Sequence, residues 1–289
     1  MPSARSNRAA YFLIAPAILI LAITSLYPAV FSFALSFFNW NWGLQFDFVG
    51  ARNYLDLFRS AEFWQVLYQT FVFAVVATAL ELVLGIGLAV VVDRLRFGAS
   101  VIRTLLLTPL MVSGIIVALM SKIVLDPMLG IVNYVLISLG LPPSPFFGTT
   151  GTAMGTVIMV DAWWQTAFVF IIVLAGLQSL PQEPLEAARV DGAGSLQTFF
   201  RVKLPMLRPL LFTILIFRTI DTLKVFDIIF GTTGGGPQIA TEVMQTLAYR
   251  KAFSFLQMSE SMTVMVVFSV IVLAISLVYM RLEERVEWD

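Results

Sequence analysis

The 289-residue chain has no cysteine and no histidine. Thiol chemistry, disulfide bridges, imidazole metal sites and serine–histidine catalysis are thereby excluded. The missing thiols leave the compartment open, since such a chain is compatible with either side of a membrane. Charge is sparse: 12% of residues are charged, about half the share of a soluble domain. Formal net charge is zero, so there is no electrostatic footprint for nucleic acid. No phosphate loop of the form G-x-x-x-x-G-K followed by Ser or Thr occurs, so any ATP must be hydrolysed by another chain. No catalytic residue, metal or cofactor of this chain's own is expected.

What the chain has instead is apolar length. Hydrophobic residues make up 59%, with 25 Phe and 12 Met, and the mean hydropathy is +0.89. Apolar runs of about 20 residues satisfy their backbone in lipid only as helices. The pattern therefore predicts an all-α polytopic membrane protein, a single transmembrane domain over residues 1–289. Six helices are expected, at about 10–35, 66–92, 104–125, 153–178, 206–230 and 261–280. The first follows Arg5 and Arg8 and is too long for a cleaved leader, so it is expected as a retained anchor.

The positive residues set the orientation. Arg5, Arg8, Arg94, Arg96, Arg103, Arg189, Arg201, Lys203, Arg208, Arg281 and Arg285 fall on one side; Arg52, Arg59, Arg250 and Lys251 fall on the other. Eleven against four places both termini and the 180–205 loop in the cytoplasm. On the outward side, residues 53–64 alternate apolar and charged positions at helical spacing, as in a short interfacial helix. Trp40, Trp42 and Trp64 suit an aromatic belt.

The cytoplasmic loop reads LPQEPLEAARVDGAGSLQTFFRVKLP from Leu180. Pro181 and Pro184 suit a helix start, and Glu183 and Glu186 complement its dipole. Gly192 is placed to end that helix in a left-handed turn, and Ser195 to cap a second one. Two short helices at an angle are expected, with Ala187 and Ala188 giving a thin face that another protein can approach. By pattern alone, a docking element and a plain connecting loop are equally good readings.

The residues decide between them. Glu186-Ala187-Ala188, then Gly192, then Val202–Pro205 resemble the EAA motif of bacterial ABC importer permeases. The resemblance extends along the chain. Gly50–Tyr54 (GARNY), Phe217–Asp221 (FRTID) and Thr233–Pro237 (TGGGP) are similar to segments of the carbohydrate permeases, of the maltose, trehalose and glycerol-phosphate type. It implies a type I importer permease fold in a bacterial inner membrane. It implies a heterodimer with a second homologous permease and an extracytoplasmic solute-binding protein. Two ATP-binding subunits, which hold ATP and Mg, would dock at residues 183–200. Glu183, Glu186, Ala187, Ala188, Asp191 and Gly192 are the expected coupling residues.

Helix geometry sorts the polar residues inside the spans, each a functional candidate because ionisable groups in lipid are costly. Positions i, i+3, i+4 and i+7 share a face. This groups Asp161, Trp164, Gln165 and Phe168 on the fourth span, and Arg218, Asp221, Thr222 and Val225 on the fifth. In the maltose branch of the family the solute site is built from the corresponding parts of these two helices. Asp161 and Arg218 are expected to face one wet cavity, as solute contacts or as an ion pair. Lys224 is divided between solute contact and pairing with Asp221 or Asp227. Asp227 is expected opposite Arg218, as a structural residue. Glu81, on a face with Thr78 and Gly85, is expected to be a protonated or hydrogen-bonded packing residue, with Gly85 and Gly87 marking close helix contact. Lys122 and Asp126 are expected to pair at the interface.

These features predict translocation of a sugar, polyol, glycoside or anionic sugar by alternating access, with the Thr232–Gln238 turn on the delivery side. A permease for a non-carbohydrate solute of the same superfamily is the nearest alternative. An ion-coupled secondary transporter would show a midplane carboxylate pair within inverted repeats, and no repeat is detectable. A membrane enzyme would need a reactive constellation that the chain lacks.

Overall fold

The computed structural model describes residues 14–43, 46–95 and 97–286. The first residues expected in helix one, and Arg5, Arg8 and Arg96, lie outside the described residues, as does the side chain of Arg285. The described helices are α1 (Ile14–Leu35), then α2 (Arg52–Arg59), α3 (Ala61–Asp93), α4 (Ala99–Leu107), α5 (Gly114–Val124), α6 (Ile131–Ser138) and α7 (Ala153–Ser179). After them come α8 (Gln182–Val190), α9 (Ser195–Thr198), α10 (Arg208–Leu223), α11 (Asp227–Thr232), α12 (Met244–Tyr249) and α13 (Met258–Val286). A two-residue hairpin, β1 (Phe38–Asn39) against β2 (Asp47–Phe48), is the one sheet among the described residues.

Four helices are long and apolar enough to cross a bilayer: α1, α3, α7 and α13 through Glu283. The expected third span is not one straight helix. A 3-10 turn, Thr108–Met111, follows α4, and α5 leaves at 98° to that segment. Pro109 removes a backbone donor there, and Val112 and Ser113 adopt extended backbone. The expected fifth span is also broken. α10 stops at Leu223, and Lys224 and Phe226 leave helical geometry before α11 begins. The Thr222 hydroxyl bonds back to the Arg218 carbonyl at 2.8 Å and the Thr219 carbonyl at 3.2 Å, a local competition with the helical ladder.

The chain divides into two compact units. In Met1–Trp64 with Leu247–Val270, the GARNY run has a structural job. Asn53 Nδ2 donates to the carbonyls of Ser36 (2.8 Å) and Phe38 (2.9 Å), and the Tyr54 hydroxyl meets Ser36 Oγ at 2.6 Å. These bonds satisfy carbonyls left open where α1 ends. The ion pair Arg250–Glu62 (2.5 Å) joins the two segments of this unit, and Lys251–Glu260 (2.8 Å) lies within the second.

The second unit, Gln65–Thr246 with Ile271–Asp289, is built around α7, the most buried of the long helices. One apolar cluster joins Phe73, Val157, Ile228 and Ile229; another joins Ala89, Val169, Phe170, Leu174 and Ile214. α3 approaches α7 closely at Gly85, where a Cβ would lie 2.6 Å from Val169 and 3.1 Å from the backbone of Phe170. Gly87 faces outward, with open space where its Cβ would be. Only one of the two glycines expected at a helix contact is therefore at one. Lys122 and Asp126 do not pair. Asp126 instead accepts from the backbone N–H groups of Leu129 (2.8 Å) and Met128 (2.9 Å), which hold its carboxyl below the usual carboxylate range.

Gly85→Val is expected to destabilise the protein by about 1–3 kcal/mol through overpacking. Gly87→Ala is expected to be neutral or stabilising by about 0.5–1 kcal/mol, since it removes a helix-interior glycine. Thermal unfolding of the detergent-solubilised protein distinguishes the two; equal effects would contradict the close approach at residue 85.

Candidate functional site

The polar residues inside the second unit converge on Arg218. Its Nε donates to Glu81 Oε2 at 2.5 Å and its Nη2 to Glu81 Oε1 at 2.9 Å, a two-pronged contact between α10 and α3. Nη1 donates to Asp221 Oδ2 at 2.6 Å. Asp161 Oδ2 of α7 stands 3.9 Å from Nη2, and the Phe168 ring lies 6.0 Å below the guanidinium carbon. Arg218 is 3% exposed, Glu81 0% and Asp161 4%. One turn along, the hydroxyls of Thr78 and Thr222 meet at 3.0 Å. Two-pronged charge-assisted bonds of this kind are strong and geometrically specific.

Glu81 is thus buried and hydrogen-bonded, as expected, but its partner is a charge: it is the main counter-ion of Arg218. The expected face is the right one. Thr78, Glu81 and Gly85 all point inward, to Thr222, Arg218 and Val169 respectively. What sequence spacing cannot supply is the partner on another helix, 137 residues away.

Beside this cluster lies a cavity of about 200 Å³, bordered by Asp161, Trp164, Gln165, Arg218, Asp221, Thr222, Lys224 and Val225. A neighbouring cavity of about 400 Å³ shares Gln165, Arg218, Asp221 and Lys224 and adds Phe168 and Phe217. The eight residues grouped by helix geometry, and Lys224, all border one or the other. Asp227 borders the smaller cavity too. The argument that placed it opposite Arg218 assumed a continuous helix, and the break at Lys224–Phe226 removes that premise. Among the described residues Lys224 forms no ion pair with either Asp221 or Asp227, the two partners weighed for it, and Asp221 is taken by Arg218. Gly114 gives Trp164 its place, since a Cβ there would lie 2.8 Å from the indole ring.

The 180–205 loop forms the second candidate surface. α8 ends in a left-handed turn at Gly192, φ +76°. The Ala193 N–H reaches the Ala188 carbonyl at 2.9 Å and the Gly192 N–H the Arg189 carbonyl at 3.1 Å, the paired bonds of a Schellman stop. Leu185 is the buried anchor of α8, while Glu183, Glu186, Ala187 and Asp191 are exposed and Ala188 is half-buried. Ser195 does not act as the cap. Gly194 holds that position without a side-chain bond, and α9 passes after one turn into a π-turn, Phe199–Lys203. Lys203 Nζ then pairs with Asp93 Oδ2 at 3.2 Å, at the end of α3.

A loop with an Ala-rich exposed helix and a polar cavity in an apolar bundle agree with the comparisons. Residues 81–287 match the family described as binding-protein-dependent transport system inner membrane component. The chain belongs to that family. It is 38% identical over 264 residues to the probable ABC transporter permease protein y4oQ of Sinorhizobium fredii, covering 90% of this chain and 85% of the relative. It is 33% identical over 278 residues to the trehalose/maltose transport system permease protein MalF of Thermococcus litoralis, covering 96% and 94%. It is 31% identical over 280 residues to the sn-glycerol-3-phosphate transport system permease protein UgpA of Yersinia pestis, covering 95% and 94%. In fold it resembles a bacterial ABC transporter that imports the acidic polysaccharide alginate. That likeness has a TM-score of 0.85 at 22% identity and covers 97% of this chain and 96% of the other. The protein is therefore a multi-pass membrane permease subunit of an ABC importer with the all-α importer permease fold.

Breaking a buried pair on one side costs about 3–5 kcal/mol, whereas replacing both partners with apolar groups costs far less. Glu81→Leu and Arg218→Leu are each expected to show that loss, and the double variant less than their sum. A denaturation cycle on the purified permease measures the coupling; strict additivity would contradict the pairing.

Proposed function

We infer that this importer permease carries a sugar or sugar derivative, delivered by an extracytoplasmic binding protein, by alternating access driven by two partner ATPases. The observation that carries the reading is the cavity beside Arg218. Aromatic rings (Trp164, Phe168) and hydrogen-bonding groups (Asp161, Gln165, Thr222, Lys224) border space inside an otherwise apolar unit. Polyhydroxylated solutes are bound by that mixture, rings stacked on aromatics and hydroxyls held by polar groups. The relatives named for trehalose/maltose and glycerol phosphate support the carbohydrate class.

In this reading the chain makes six spans, with α4–α5 and α10–α11 each counting as one. Both termini are cytoplasmic, as the Lys/Arg asymmetry favours. A second homologous permease completes the path. The ATPases, which bind ATP and Mg, dock on residues 183–200, where Glu183, Glu186, Ala187, Ala188, Asp191 and Gly192 form the coupling surface. Solute arrives at the outer segments, including the Thr232–Gln238 turn. Closure of the ATPases moves α8, and the Lys203–Asp93 pair passes that motion to α3 and so to the Glu81–Arg218 cluster at the cavity.

The test is ATP hydrolysis by the assembled complex against binding proteins loaded with sugars, polyols and sugar acids. Stimulation by one loaded binding protein is expected; indifference to all of them would remove the carbohydrate reading. Glu186→Lys and Gly192→Asp are expected to abolish uptake while leaving the protein in the membrane. Gly192→Asn, whose side chain tolerates a left-handed backbone, is expected to retain it. Normal uptake in the first two would refute docking at this loop.

A further inference from the structure

Two residues bordering the cavity each carry a buried polar atom with no hydrogen-bond partner among the described residues. Asp161 Oδ2 and Trp164 Nε1 are both buried and make no hydrogen bond among the described residues. They belong to residues three apart on α7, on one helix face, and both residues border the same 200 Å³ space. Buried polar atoms are almost always satisfied in native proteins, so each unsatisfied one marks a place where a partner is missing.

The two atoms ask for different things. A carboxylate oxygen accepts and an indole N–H donates. A single neutral hydroxyl, or two on adjacent carbons, supplies both. An ammonium group has donors and no acceptor; a phosphate dianion or a carboxylate has acceptors and no donor. The charges around the cavity point the same way. Arg218 is the residue suited to grip an anion in two-pronged fashion, but its Nε, Nη1 and Nη2 are already given to Glu81 and Asp221. Among the described residues, the bordering groups outside that cluster's close contacts are one cation, Lys224, and two carboxylates, Asp161 and Asp227.

We propose that Asp161 and Trp164 together read neighbouring hydroxyls on an uncharged cargo, and that the cavity discriminates against phosphorylated and uronic sugars. This inference rests on the carbohydrate reading and narrows it. The family does not decide the matter, because its members named above include one for glycerol phosphate as well as one for trehalose and maltose.

The experiment is uptake into ATP-loaded proteoliposomes bearing the whole complex, with a neutral sugar, its phosphorylated and uronic derivatives, and its monodeoxy analogues. The neutral sugar is expected to enter at least about tenfold faster than either anion. Asp161→Asn and Trp164→Phe are each expected to slow it about tenfold. A deoxy analogue that is slow with the wild-type complex is expected to lose nothing further in one of the two variants. Should Asp161→Asn fail to assemble, Trp164→Phe alone carries the comparison. Anion uptake matching that of the neutral sugar overturns the proposal and leaves the carbohydrate reading intact, as does undiminished uptake by both variants. A complex that transports none of the panel, and whose ATP hydrolysis no loaded binding protein stimulates, overturns the carbohydrate reading itself.

Discussion

A guanidinium buried in an apolar bundle must have its counter-charge beside it, because an isolated charge in a low-dielectric interior costs several kcal/mol even after relaxation. Arg218 meets that requirement through Glu81, and the rest of the second unit is arranged around the pair. The contact fixes α10 against α3, and the Thr78–Thr222 bond fixes the rotation of both helices one turn away. Gly85 then lets α3 settle onto α7, bringing Asp161 and Phe168 to the same guanidinium. The cavity lies where these helices cannot close further, since the break after Leu223 turns the chain away. α11 leaves that break to pack on α5, with Gly231 so close that a Cβ would lie 2.6 Å from Ala118.

Much of this arrangement is legible in the residues, and the misses have one physical origin. Local spacing identifies which residues share a face, so the grouping of Asp161 with Trp164, Gln165 and Phe168 needs no structure. The Gly192 stop was equally readable, because a glycine after an Ala-rich helix favours a left-handed end. Spacing does not say which helix a face will meet. Glu81 sat on the right face, but its partner Arg218 was not foreseen. Gly87 carried the same signal as Gly85, yet it faces outward. Asp227 was misplaced because 100° per residue holds only while the helix continues. The break before it has a weak sequence signal, Thr222 and β-branched Val225 near the helix end. The bend after α4 had a plain one in Pro109, which membrane helices often absorb without breaking.

Asp126 shows the same limit on a smaller scale. Its spacing from Lys122 suits an ion pair, but two nearer backbone donors in the turn that follows α5 are better oriented. A carboxylate at a helix end chooses between a flexible side chain that must be ordered and amides that the turn has already ordered. The entropy of fixing the lysine decides against it.

Two routes lead from the 180–205 loop to the cavity, and they differ in stiffness. The covalent route passes through the π-turn Phe199–Lys203, the short turn before Leu207 and then α10, so it is jointed at more than one place. The other passes through the Lys203–Asp93 pair into α3, which runs without a break to Glu81. Twelve residues of helix separate Asp93 from Glu81, about 18 Å of rise. In the proposed cycle a displacement applied at the loop would be absorbed by joints along the first route and carried as a rigid-body shift along the second. Because Glu81 holds Arg218 from two atoms, a shift of α3 cannot leave the guanidinium where it is. It must drag α10 with it or exchange Glu81 for Asp161, whose Oδ2 already stands 3.9 Å from Nη2. A buried cation with a further carboxylate within reach, beyond the Glu81 and Asp221 it already holds, has an alternative pairing, and elements with two discrete arrangements are what carry coupling between distant sites.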